Sequence, residues 1–209
     1  MIKRIFDLFF TIPGIIILLP LFCVISFWIK IDSPGPIFFR QIRVGLYGKQ
    51  FHIYKFRTMI KNAEVQGSQL TVGEDQRITL SGKYLRKYKL DELPQLLNVL
   101  LGEMSLVGPR PEVPQYMNNY PEEIKNVILS VLPGITDYAS IYFKDENRLL
   151  GQSVDPEKTY LEVIIPIKQT YYLQYVREHS TWGDLCLIIG TLRSLIWKGS
   201  TNVTTHKNF

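Results

Sequence analysis

The 209-residue chain holds only two cysteines, Cys23 and Cys186, and three histidines. Two cysteines build no disulfide framework and show no zinc-ligand spacing, so a reducing, cytoplasm-facing compartment is the simplest fit. No acidic residue occurs between Ser33 and Ala63, a stretch that carries Arg40, Arg43, Lys49, Lys55, Arg57 and Lys61. There is no internal repeat, low-complexity segment, aromatic-rich RNA motif or recognition-helix pattern. The net charge of +5 therefore does not read as nucleic-acid binding. What remains is one basic domain, or one domain with an appendage, joined to a long apolar segment. That combination suits the anionic face of a membrane.

The apolar segment runs from Ile5 to Ile29 with Asp7 as its single charge. A straight helix of this length spans the hydrocarbon core of a bilayer. A cleavable signal peptide fits poorly, because the run is too long and no small-x-small cleavage site follows it. Pro13-Gly14 and Pro20 interrupt the segment, and proline removes a backbone donor and clashes one turn back, so a kink is expected at Pro20. Lys3 and Arg4 precede the run, and Lys30 and the acid-free basic stretch follow it. The positive-inside rule cannot choose between two basic flanks. The simplest resolution keeps both on one side, with a re-entrant helix that bends near Pro20; a single span is the alternative. Asp7 is expected at the interface, paired with Lys3 or Arg4.

Beyond a turn at Asp32–Pro36, Ile37–Gln41 and the alternating Phe51–Phe56 predict a β-hairpin around the Gly45–Gly48 turn. Glu64–Gly73 reads as a polar loop or loose helix. Ser81–Arg86 predicts one helix and Leu90–Leu101 another, with Pro94 tolerated in its first turn. The stripe Leu93, Leu96, Leu97, Leu100 and Leu101 is core-facing by default, membrane-facing otherwise. Further helices are expected over Pro121–Leu132, over Pro156–Glu178 with a kink or boundary at Pro166, and from Trp182 to Trp197. The last has a wide apolar face that either lies in the membrane interface or packs on the domain. His52 and His179 read as surface or hydrogen-bonded residues rather than ligands. The fold class is α+β, mainly helical: a membrane helix over 1–32, a membrane-associated domain with amphipathic interfacial helices over 33–198, and a flexible tail over 199–209 that includes His206.

At the centre stands Leu90-Asp91-Glu92-Leu93-Pro94-Gln95. Alone, an Asp-Glu pair is most often a helix start placed against the dipole. Here Arg86, Lys87 and Lys89 lie upstream and Arg110 downstream. Acids held between cations suit a phosphate-bearing substrate and a divalent metal, and a helix N-terminus also attracts phosphate.

These residues resemble a family. Asp75-Gln76-Arg77, Gly82, Leu85-Arg86, Leu90 to Leu96, Asn98-Val99-Leu100, Gly102, Met104-Ser105 and Val107-Gly108-Pro109-Arg110-Pro111 together are similar to the bacterial sugar transferases. These are small monotopic polyprenyl-phosphate phosphoglycosyl transferases. Lys55-Phe56-Arg57-Thr58-Met59, Pro133-Gly134-Ile135-Thr136 and the proline-broken N-terminal segment agree, so the resemblance covers about residues 1 to 195. It looks like a minimal member, without the additional transmembrane helices of longer relatives.

The resemblance implies a re-entrant helix and attachment to the cytoplasmic face of the bacterial inner membrane. It implies transfer of a phosphosugar from a UDP-sugar to undecaprenyl phosphate, with release of UMP, as the first membrane step of polysaccharide or glycoconjugate synthesis. Asp91 is then the nucleophile and a Mg²⁺ ligand, Arg86 and Arg110 clamp substrate phosphate, and Glu92 orients the metal or lipid phosphate or acts as a base. Membrane lipids are expected partners; a homodimer and downstream glycosyltransferases stay open. A catalytically silent membrane scaffold that binds sugar nucleotides or recruits glycosyltransferases is the alternative.

Three departures from the family pattern stand out. Leu19, not Ser, precedes Pro20; Asp137-Tyr138-Ala139-Ser140 replaces a common Gly-Leu-Ala-Gln; and Tyr172 stands where an Asp is frequent. The second lies near the expected substrate pocket and points to a differing sugar preference.

Overall fold

A computed structural model describes residues 2–63, 70–73, 75–143 and 145–196. Trp197, the tail from Gly199 and most of the polar stretch from Glu64 lie outside the described residues. The order begins with helix α1 (Ile2–Asp32), which has Pro13 and Pro20 inside it. The hairpin follows as β1 (Phe38–Val44) and β2 (Gln50–Phe56), joined through a 3-10 turn at Leu46–Gly48. Its register pairs Phe38 with Phe56 and Val44 with Gln50. Helices α2 (Leu80–Lys87) and α3 (Gln95–Leu101) flank a 3-10 turn at Leu90–Glu92.

The second half holds β3 (Ser105–Val107), α4 (Pro114–Met117), α5 (Glu122–Ile128), β4 (Gly134–Thr136), α6 (Tyr138–Tyr142) and α7 (Glu146–Gly151). It closes with α8 (Pro156–Thr159), a π-helical turn at Tyr160–Ile164, α9 (Ile165–Glu178) and α10 (Thr181–Ile196). The fold is thus α+β and mainly helical. Pro166, which has no N–H to give the preceding turn, marks the passage from π-helix to α9.

Helix α3 corrects the sequence reading twice. It starts at Gln95 with Pro94 at its N-cap, so Asp91 and Glu92 occupy a separate 3-10 turn rather than the first turn of the helix. Its buried face is also not the leucine stripe but Gln95, Asn98 and Val99, while Leu100 and Leu101 are exposed. The reason is polar: Asn98 accepts from the Tyr54 N–H at 2.9 Å and donates to the carbonyl of His52 at 2.7 Å and to Glu103 at 2.8 Å. One amide thereby docks α3 onto β2; Leu100 and Leu101 are turned outward, while Leu93 and Leu96 are half-buried.

The parallel pair β3–β4, Ser105 opposite Gly134 and Val107 opposite Thr136, was not foreseen, because three-residue strands leave no periodicity to read. A Cβ on Gly134 would stand 2.0 Å from the backbone nitrogen of Gly108, so only glycine allows this approach. Gly82 has the same role for α2, where a Cβ would sit 2.0 Å from the carbonyl oxygen of Thr58. That contact fixes the helix bearing Arg86 against the chain just past β2.

Helix α1 is long and apolar enough to cross a membrane. Its outward side chains Ile5, Phe9, Ile16, Ile17, Val24, Phe27 and Ile31 are each 65–75% exposed. Fully burying one large apolar side chain is worth about 1.5–3 kcal/mol, so this face in water forfeits on the order of 10 kcal/mol. That is comparable to the whole stability of a domain, and it drives the helix into lipid.

Both ends of α1 are tied into the same folded body. At the start, Lys3 pairs with Asp184 of α10 at 2.6 Å, and Arg4 donates to the carbonyls of Val99 and Leu100. Asp7 therefore makes no direct salt bridge to Lys3 or Arg4, although the charge of Lys3 acts on it. It is buried and accepts from the Ser105 hydroxyl at 2.9 Å and the Leu106 N–H at 3.1 Å. The cause is competition: the free carbonyls at the C-terminus of α3 attract Arg4, and β3 offers Asp7 unpaired donors. At the other end Arg57 donates to the carbonyls of Ile29, Ser33 and Pro34. Asp32 accepts from the N–H and hydroxyl of Ser81 at the start of α2, at 2.9 and 2.7 Å.

Candidate active site

A cavity of about 1280 Å³ runs through the domain. One wall carries the acid pair with Arg86, Lys89, Lys55 and Arg110, and another is apolar, with Leu93, Leu96, Ile188, Leu192 and two residues of α1, Phe10 and Gly14. A charged end and an apolar side reaching the membrane helix thus share one space. All four sequence-predicted site residues line it. Pro20 does not; it lies on the exposed part of α1.

The acid pair is held by the 3-10 turn at Leu90–Glu92. Its cap, Lys89, sits in the left-handed region at φ 55°, a conformation that costs a non-glycine residue about 1 kcal/mol. This sharp entry separates the two carboxylates. Glu92 turns toward Lys55 of β2, at 2.8 Å, and toward Arg110, whose guanidinium bonds both of its oxygens. Asp91 is buried, and its Oδ1 has no hydrogen-bond partner among the described residues.

The two neighbours consequently titrate in opposite directions. Burial raises Asp91 above the ordinary carboxylate range, the charge of Glu92 raises it further, and Lys55 and Arg86 pull back without reversing the shift. Burial also pushes Glu92 up, but Arg110 and Lys55 outweigh it and hold its carboxyl well below the usual range. Arg86, at the end of α2, donates its Nε–H to the Thr58 hydroxyl at 2.9 Å, which fixes the guanidinium beside Asp91. Arg110, expected as a phosphate clamp, forms an ion pair with Glu92.

The chain just past β3 positions Arg110 a second time. Its backbone N–H donates to Asp137 Oδ2 at 3.0 Å, and Asp137 Oδ1 accepts from the Ser140 N–H at the start of α6. Further along, Lys168 of α9 is buried between Glu146, at 2.7 Å, and Glu112, at 3.9 Å. The Tyr160 hydroxyl, at the π-helical turn, donates to Glu112 with both carboxylate oxygens at 3.0 Å. These residues line the same cavity and were missed from sequence. Only Glu112, directly after Gly108-Pro109-Arg110-Pro111, lay close enough to a motif to be found. Lys168 and Tyr160 carry no local signal, since their partners are distant in the chain.

Among the described residues, no group of three or more Asp, Glu, His or Cys could hold a metal ion. The residues nevertheless fit Mg²⁺, which keeps several waters and usually binds through one or two carboxylates plus substrate phosphates. The unpartnered Asp91 Oδ1 is one such donor, whereas the oxygens of Glu92 are occupied by cations.

Comparison with known proteins gives the family. The family described as bacterial sugar transferase matches residues 1–198. The chain is 36% identical over 197 residues to a UDP-N-acetylgalactosamine-undecaprenyl-phosphate N-acetylgalactosaminephosphotransferase of Aeromonas hydrophila, covering 93% of this chain and 44% of the relative. It is 36% identical over 212 residues to a UDP-glucose:undecaprenyl-phosphate glucose-1-phosphate transferase of Escherichia coli (strain K12), covering 99% and 42%. The chain thus spans less than half the length of these two relatives. The exopolysaccharide production protein PSS of Rhizobium leguminosarum bv. phaseoli is 35% identical over 213 residues and is matched over 96% of its own length, with 95% of this chain. With the acid pair, its cations and the membrane helix gathered as the sequence motifs require, and with the match running from end to end of the described fold, the chain belongs to the bacterial sugar transferase family.

Proposed function

We propose that this chain transfers a sugar 1-phosphate from a UDP-sugar to undecaprenyl phosphate through a covalent intermediate on Asp91. The observation that carries this reading is the asymmetry of the acid pair. Glu92 is spent on two cations, whereas Asp91 keeps an unpartnered oxygen at a cavity that is cationic at one end and apolar toward α1. A diphosphate suits the first wall and a polyprenyl chain the second.

In the first step an oxygen of ionised Asp91 attacks the phosphorus that bears the sugar. The bond from that phosphorus to the bridging oxygen breaks, UMP leaves with the electron pair, and a phosphosugar–aspartyl anhydride forms. In the second step an oxygen of the lipid phosphate attacks the same phosphorus. The bond to Asp91 breaks, undecaprenyl diphosphate sugar forms, and the carboxylate is regenerated. Arg86 and Lys89 offset the charge that builds as anion meets anion. Glu92, held well below the usual range, is a weak base; it acts as a positioning residue that aims Arg110 and Lys55 into the cavity. Mg²⁺, held by Asp91 together with the substrate, would supply further neutralisation of the phosphates.

Mass analysis of intact protein tests the chemistry. With UDP-sugar and no lipid phosphate, wild type gains one phosphosugar mass at Asp91, and Asp91→Asn gains none. Wild-type turnover in Asp91→Asn overturns the reading, and binding of UDP-sugars without transfer by wild type supports a silent scaffold instead.

The same reading places the domain on the cytoplasmic face with α1 re-entrant at Pro20. Its support is that residues 3–7 and 29–33 both bond to one folded body, whereas the ends of a spanning helix are parted by about 30 Å of hydrocarbon. Single cysteines from Ile2→Cys and Ile31→Cys, in a background without Cys23 and Cys186, should both resist an impermeant reagent until the inner membrane is opened. Labelling of either from outside would sink the re-entrant topology.

A further inference from the structure

The wall of the cavity formed by α6, α7 and α9 is not used by the transfer chemistry above. Its charges are closed among themselves: Lys168 lies between Glu146 and Glu112, and Glu112 also accepts from Tyr160. One neutral atom is not closed. The Tyr172 hydroxyl is buried without a hydrogen-bond partner among the described residues, whereas the Ser140 hydroxyl reaches the Asp137 carboxylate, and both residues line the cavity. Tyr172 is only 1% exposed. A buried hydroxyl left unpaired costs about 1–3 kcal/mol, so Tyr172 gives this wall a preformed demand for a polar ligand.

Position and chemistry say which part of a ligand would meet it. Arg110, joined to Glu92 through its side chain, is joined to Asp137 through its backbone, and Asp137 in turn holds the N–H of Ser140. This wall therefore stands one carboxylate away from the residue that borders the acid pair. A phosphate needs unspent positive charge; Lys168 is already paired, and Arg43, which faces the charge of Glu112, donates to the Pro111 carbonyl and to Gln41. A polyprenyl chain needs apolar surface, which lies on the α1 side. An uncharged group rich in hydroxyls, attached directly to the reacting phosphorus, needs a neutral donor and acceptor such as this hydroxyl.

The geometry points to Tyr172 as a residue that binds a ring substituent, hydroxyl or acetamido, of the donor's glycosyl group and thereby helps select the sugar. This rests on the transfer reading.

The test uses the full chain in bilayer discs with undecaprenyl phosphate, and UDP-glucose, UDP-galactose and their N-acetylated counterparts as donors. In Tyr172→Phe, affinity for the sugar nucleotide that wild type prefers should fall about tenfold. The ratio of kcat/KM among the four donors should change, and UDP, which lacks the sugar, should bind as it does to wild type. Equal losses for UDP and UDP-sugar would assign this residue to the nucleotide or to the fold and overturn the proposal. So would unchanged donor ratios in the variant while wild type transfers normally, a result that leaves the transfer reading intact. Wild type that transfers none of a broader sugar-nucleotide panel would instead overturn the transfer reading, and this inference with it.

Discussion

The two ends of the cavity are built from the same residue types and left in opposite states. At the acid pair, Glu92 is neutralised by Lys55 and Arg110, and the atom without a partner belongs to a carboxylate, Asp91. At the α9 end, Lys168 is shared between Glu112 and Glu146, and the neutral atom without a partner is the hydroxyl of Tyr172. An unspent charge is a reagent, because it can make a bond to phosphorus or hold a cation. An unspent hydroxyl is only a reader, because it gains when a matching group arrives and gains little otherwise. On the proposed transfer, the cavity divides into a reacting end and a recognising end.

The largest effects should separate activity from stability across this divide. Asp91→Asn should lower turnover by about 10⁴-fold or more, as loss of a nucleophile does. Its thermal stability should not fall, because burial already disfavours ionised Asp91 in the folded protein. Lys168→Met should do the reverse. It leaves Glu112 buried without its cation and Glu146, a quarter exposed, unpaired, a change worth about 3 kcal/mol of stability. Denaturation of the two variants beside steady-state UMP release checks the pair; a Lys168→Met protein as stable as wild type would erase the distinction between the ends.

Within the reacting end, pH sharpens the contrast between neighbours. Glu92 has a folded pKa below its unfolded one, so its ionised form stabilises the fold above the unfolded value of about 4.3, and that contribution is lost as pH falls through the folded value. Asp91 has a raised folded pKa, so its protonated form is favoured below the unfolded value and the advantage disappears as pH rises through the folded one. Glu92→Gln should therefore cost about 1.5–3 kcal/mol at neutral pH, the worth of hydrogen bonds to charged groups, and the deficit should close on acidification. Turnover, which needs ionised Asp91, should fall on its acid side at a pH above the ordinary aspartate range. Stability differences of the same sign and pH trend in Glu92→Gln and Asp91→Asn would break the assignment.

How much of this was legible depended on where each signal lives. The membrane helix, the hairpin and the acid pair with Arg86 and Arg110 are written in contiguous residues, as an apolar run, an alternation and a charge cluster. The start of α3 was misplaced because Pro94 is as much at home at an N-cap as in a first turn, and the 3-10 turn depends on a left-handed Lys89 that no pattern announces. Leu100 and Leu101 of α3 face outward because one asparagine, Asn98, has more to gain from the edge of β2 than they do from the core. The pairing of Glu92 with Lys55 and Arg110, and the whole Lys168 cluster, join residues brought together only by the packed fold.

The smallest predicted effect is the most selective probe of the recognising end. Tyr160 and Tyr172 are both buried tyrosines with hydroxyls on the same cavity, yet Tyr160 donates to Glu112 and Tyr172 has no partner. Tyr160→Phe should cost about 1.5–3 kcal/mol, because a hydrogen bond to a carboxylate is lost and Glu112 is left less satisfied. Tyr172→Phe removes an atom that contributes no hydrogen bond to the free protein, so its denaturation midpoint should equal or slightly exceed that of wild type. Parallel denaturation of the two ligand-free variants measures the difference directly. A loss in Tyr172→Phe as large as that in Tyr160→Phe would mean that the hydroxyl is already satisfied within the fold. Without such a loss, any change the variant shows toward sugar nucleotides belongs to binding and not to folding, which is the separation that a specificity assignment needs.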